Sequence, residues 1–151
     1  MDRKKILDDL VESYRSYSAS DARPTIEKIL IVNSQTFDIR ERGDIKTEVA
    51  GFKLLGGNTT YLLNDEKPQE LEQNWQVLVY VEQGDKHSTK DARYERMLEL
   101  TDQIMDWSLE TSAGSVNMDL YTLKLTGVTP IDEEDGFLST ELNFQSIIKT
   151  Q

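Results

Sequence analysis

The spacing of apolar positions changes several times along the chain, and each change marks an element. In "MDRKKILDDLVESYRSY", Ile6, Leu7, Leu10, Val11 and Tyr14 recur on one face of a helix, with Asp2 placed to cap it. The small residues and proline of "SASDARPT" form a loop. "IEKILIVN", Ile26 to Asn33, is short and β-branched and reads as a strand, although Ile26, Ile29 and Leu30 would also suit a helical turn. A further strand centres on Val49, Phe52 and Leu54, and Gly56 and Gly57 are expected to break it. From Gly56 to Asn74 the apolar anchors thin out to Tyr61, Leu62, Leu63 and Leu71. This predicts a long irregular connection of the kind that meets partners.

The second half is more regular. In "WQVLVYV", Val77, Val79 and Val81 share a face with Trp75, while Leu78 and Tyr80 point the other way. Both faces are apolar, which predicts a central strand covered on each side by helices or by another subunit. Ser88, with Asp91 three residues on, opens a helix that runs to about Leu109. Its stripe of Met97, Leu98, Leu100, Ile104, Met105, Trp107 and Leu109 is broader than one docking seam needs. "ETSAGS" ends it, with Gly114 near the C-terminal cap. In "VNMDLYTLKLTGV" the apolar phase slips from even to odd positions, as a β-bulge near Leu120 would explain. The last strand alternates, with Leu138, Thr140, Leu142, Phe144 and Ile148 inward and Ser139, Glu141, Asn143 and Gln145 outward.

Composition narrows the class. A chain of 151 residues fits a single domain, here 1–151, and 37% hydrophobic with 30% charged residues is ordinary for one that folds. No apolar run approaches the roughly 20 residues of a membrane helix, and "MDRKKILDDL" lacks a signal peptide's apolar stretch, so a cytosolic protein is expected. Without cysteine there is no disulfide framework and no sulfur-built zinc site. Seventeen basic against 28 acidic residues give a net charge of -11, which opposes binding to a phosphate backbone.

The chemistry of catalysis is largely missing. His87 is the sole histidine, so no multi-histidine metal site can form within one chain. "LLGGN" has neither the spacing of a dinucleotide loop nor a phosphate-binding lysine. The run "DEED" before Gly136 fails as a calcium loop, because the first ligand position falls on Ile131. Asp132 and Asp135 are paired carboxylates, but an exposed turn offers them little of the desolvation that acid/base chemistry needs. No enzymatic activity and no cofactor are expected.

The order of features is informative: "QVLVYVEQGDK", then the helix "KDARYERMLELTDQIMDWSL", the strand "MDLYTLKLTGVTP", the acidic turn "IDEEDGFL" and the closing strand "STELNFQSIIK". This resembles the tail terminator, or tail completion, proteins of long-tailed bacteriophages of the lambda and T5 type. The likeness covers residues 70 to 150 well and the first 70 in order and length alone. It implies an α+β fold, a mostly antiparallel mixed sheet packed against two helices. It also implies a homo-oligomeric ring, a hexamer, that caps the tail tube protein, ends tube polymerisation and presents a surface to a head-completion or neck protein. DNA would pass through the lumen without specific binding, and the protein would reside at the head-proximal end of the virion tail. Alternatives are another neck ring protein, such as a head-closure protein or adaptor, and a monomeric acidic inhibitor or DNA mimic.

Three groups of residues carry that expectation. Asp132, Glu133, Glu134 and Asp135 would line the lumen or a ring edge, repelling phosphate, unless they merely solubilise a turn. Trp107, with Trp75 and Tyr80, would lie near a subunit contact, unless the tryptophan is simply core. The loop carrying Asn58, Tyr61, Asp65, Glu66 and Lys67 would meet the tube or the head.

Overall fold

A computed structural model describes residues 3–23, 25–32, 48–61, 68–82, 89–113, 123–134 and 136–149. Helix α1 (Arg3–Ser20) leads into strand β1 (Lys28–Ile31), β2 (Glu48–Tyr61) and β3 (Pro68–Glu82). Helix α2 (Lys90–Ala113) follows, then β4 (Lys124–Val128), β5 (Asp132–Glu134) and β6 (Phe137–Lys149). The strands form one mixed sheet in the order β1-β2-β3-β6-β4, with β5 also paired to β6. The β1–β2 pairing is parallel and all the others are antiparallel. The fold is therefore α+β, with a largely antiparallel sheet against two helices, as the resemblance implies.

Both helices lie on one face of the sheet, α1 over β1 and β2, α2 over β3, β6 and β4. Ile6, Leu7, Leu10, Val11 and Tyr14 of α1 are all buried, so the helical spacing read from the sequence is the docking face. From β3 the same core takes Trp75, Val77, Val79 and Val81, and from β6 it takes Leu138, Leu142 and Phe144. Aromatic rings fill its centre. Phe52 stacks near Trp75, Trp75 stacks on Phe144 at 4.3 Å, and Trp107 meets Tyr14, Phe52 and Trp75 at 5.4 to 6.1 Å. Such offset and edge contacts add to the burial of area itself. The polar ends of these rings are satisfied: Trp75 Nε1 donates to Ser146 Oγ, Trp107 Nε1 to Ser13 Oγ and Tyr14 Oη to Gln103 Oε1.

A buried ion pair ties the layers together. Arg96 of α2 donates from Nε and one terminal nitrogen to both oxygens of Glu48, at 2.8 and 2.7 Å, and Glu48 also accepts from the Glu27 N–H. Burial works against the Arg96 charge, but Glu48 and then Glu99 outweigh it and hold the guanidinium above its ordinary pKa.

Several local expectations change. Gly56 and Gly57 do not end the strand: β2 continues to Tyr61, with a register shift between Leu54 and Gly57, and β3 starts at Pro68. Residues 56–61 and 68–74 are thus paired strand rather than irregular connection. A Cβ at Gly57 would stand 2.0 Å from the Glu72 carbonyl oxygen, so the bulge needs a bare backbone there. Helix α2 is capped by Thr89, whose Oγ1 accepts from the Ala92 N–H, one residue later than expected. Leu120 lies outside the described residues, and the irregularity seen in β4 falls between Leu125 and Gly127.

Candidate interaction surface

Antiparallel partners project to the same side of a sheet, so the register maps the face that bears no described helix. One row crosses it through Lys28, Val49, Tyr80, Ser139 and Asp132. The next runs through Leu30, Gly51, Leu78 and Glu141. Val49, Leu78 and Val32 are buried, and Leu30, Tyr80 and Phe137 pack as half-buried neighbours of Val49. Gly51 leaves room for Val32: a Cβ there would come within 2.8 Å of Val32 Cγ2. The apolar character of both faces of β3 is therefore real, and the helices account for one of them.

The acidic segment is ordered by alternation. Asp132, Glu133 and Glu134 form β5 against Ser139, Leu138 and Phe137, and Gly136 closes the turn at φ 85°, a left-handed conformation that glycine adopts without strain. Glu133 therefore falls on the helical side. There it faces the first turn of α2, 3.5 Å from Lys90 Nζ and 3.6 Å from Arg93. Arg93, itself buried, donates to the Gly136 carbonyl at 2.5 Å, so α2 clasps the hairpin. Asp132 projects to the opposite side, its Oδ1 accepting from the Glu133 N–H. The block of four acids is thus not one uniform patch: Glu133 is neutralised by α2, Asp132 faces outward, and Asp135 lies outside the described residues.

A cleft of about 380 Å³ opens beside Asp132, lined by Tyr80, Pro130, Ile131, Ser139 and Glu141 among others. Its floor is pinned where β4 gives way to β5. Thr129 donates its N–H to the Glu141 carbonyl, and Thr140 Oγ1 donates to the Thr129 carbonyl at 2.7 Å. Nothing in the local pattern announced this cleft, because it arises from the kink that separates β4 and β5 along a shared β6.

Trp107 and Trp75 do not reach a surface. They are 1% and 0% exposed within the single chain, locked in the aromatic core, which corrects their placement at a subunit contact. The exposed members of the α2 stripe are Leu98 and Leu109, at 40% and 67%. Tyr80 is half-buried on the second sheet face. Asn58 and Tyr61 belong to β2 rather than to a loop, and Asp65, Glu66 and Lys67 lie outside the described residues. Among the described residues no three acidic or imidazole groups gather as a metal site would require. No described helix is long and apolar enough to cross a membrane.

No protein-family model matches the chain, and no curated protein does. Solved structures do share its fold. One aligns over 100% of this chain and 98% of its own, with a TM-score of 0.53 at 10% identity. At that identity the likeness concerns the path of the backbone alone.

Proposed function

We propose that this protein is a tail terminator of a long-tailed bacteriophage, a structural ring subunit that caps the tail tube and offers its other face to the neck. The observation that carries the reading is the two-sided sheet. Helices sheathe one face, while the other carries half-buried Tyr80 beside Val49 and Leu78, which are buried within the chain, and is bordered by the outward carboxylates Asp132 and Glu141. The order of elements adds support, since α2 followed by β4, an acidic hairpin and an alternating last strand is the sequence likeness described above. In this reading the work is done by interface energy and shape, with no chemical step and no cofactor. A closed ring requires one surface of each subunit to match a different surface of the next.

The competing DNA-mimic reading draws on the net charge of -11. It is weakened by how many acids are engaged within the fold, Glu48 by Arg96, Glu133 by Lys90 and Arg93, and Asp21 by Arg23. Native mass spectrometry across a concentration series tests the proposal, together with capping of purified tail tubes. A species at six times 17.3 kDa, or arrest of tube growth by the added protein, is expected. A monomer that neither closes on tubes nor halts their extension would overturn it. Binding to the portal end of filled heads without tube capping would place the protein among the head-closure rings instead.

A further inference from the structure

We propose that the cleft beside β5 is a binding site for a guanidinium on an aliphatic stem, the side chain of an arginine presented by a partner protein. Asp132 lies opposite Ser139, and Glu141 is two residues further along β6 on the same face. Diagonal positions of this kind place side chains roughly 7–8 Å apart at their base, a gap that one planar cation can bridge. Neither carboxylate forms an ion pair with any described residue. Tyr80, in the row of Ser139, supplies an aromatic wall, and Pro130 and Ile131 supply apolar surface for methylene groups.

The rest of the molecule shows what such an arrangement holds. Arg96 bridges Glu48 and Glu99, and Arg23 bridges Asp21 and Asp106. Both of these sites place two carboxylates around one guanidinium, whereas buried Arg93 has a single carboxylate, Glu133, and the Gly136 carbonyl; the cleft repeats the two-carboxylate arrangement without a cation from its own described residues. Two carboxylates are too few to fix calcium, which takes six to eight oxygen ligands. A guanidinium suits them better than an ammonium, because its planar fork can serve both acids while its face lies on an aromatic ring. The net charge of -11 further favours a basic partner.

The site is read on the single chain and does not depend on ring formation. Its test is an amide NMR titration at low salt with N-acetyl-arginine amide, its neutral citrulline counterpart and spermidine. Saturable shifts confined to the amides around Tyr80, Asp132, Ser139 and Glu141 are expected with the arginine probe alone. The double variant Asp132→Asn/Glu141→Gln is expected to weaken that binding about tenfold or more, since a charge-assisted bidentate contact becomes neutral. Both residues are exposed, so the melting temperature should hold and the loss can be assigned to the site. Equal shifts from citrulline, arginine binding that survives the double variant, or tighter binding of spermidine at the same amides would each overturn the proposal.

Discussion

Several polar residues lie inside this chain and are satisfied there. Glu48 and Arg96 are 4% and 8% exposed and bonded through both carboxylate oxygens. Removing one partner strands the other charge in the interior. Glu48→Ala is therefore expected to lower unfolding free energy in urea by about 3–5 kcal/mol, whereas Glu48→Gln combined with Arg96→Met should lose much less. The Gln oxygen would still accept the Glu27 N–H. A second network runs from Tyr14 and Ser18 through Gln103 to Asp21, Arg23 and Asp106, linking α1 to α2. Burial raises the Tyr14 phenol well above its ordinary value, so it stays a neutral donor. Hydrogen bonds from Arg23 and then Gln103 hold the Asp21 carboxyl below its ordinary value. A depressed carboxyl stabilises the fold above the unfolded pKa and ceases to do so as pH falls through the folded one. Thermal melts should therefore show Asp21→Asn less stable than the parent at about pH 6, with the gap closing as the pH falls below about 4.

At the scale of elements, the sequence was legible wherever a period was local. Five positions of α1 and the alternation of β6 could be read directly, because each depends only on which side of its own axis a residue falls. What escaped was non-local. The pair Gly56–Gly57 looked like a strand end, and only the Glu72 carbonyl across the hairpin shows why glycine is needed inside a strand. Gly57→Ala would drive a methyl into that backbone oxygen, so the bulge must open. A loss of about 1–3 kcal/mol is expected, with faster amide exchange along the β2–β3 pairing beyond Leu54. An unchanged exchange pattern would mean that the bulge tolerates a side chain. The Trp107 stripe was ambiguous because its breadth fits either a core or an interface, and the aromatic cluster decides for core. The Glu48–Arg96 pair spans 48 residues and leaves no local trace. The surface was legible in part: the alternation of the last strand puts Glu141 outward, but Asp132 stands in the sequence only as one of four consecutive acids, and nothing local brings the two side by side.

For the whole molecule, charge and architecture pull in different directions. Half-buried Leu30, Tyr80 and Phe137 leave some apolar surface on the second sheet face, where Val49 and Leu78 are already buried within the chain, while a net charge of -11 per chain opposes bringing copies together. In the proposed ring the repulsion is multiplied, so the ring species is expected to grow with ionic strength as the charges are screened over about 10 Å at 0.1 M salt. A cationic side chain seated between Asp132 and Glu141 would relieve the same repulsion locally. Strand β6 shows how one element can serve both demands. Its even-numbered residues from Leu138 to Ser146 are buried beneath the helices, and its odd-numbered ones from Ser139 to Gln145 look outward. The two sets interleave codon by codon in the gene, yet one packs the core and the other meets the surroundings. A lineage can rewrite every second codon to follow a changing neighbour while the alternate codons hold the fold fixed.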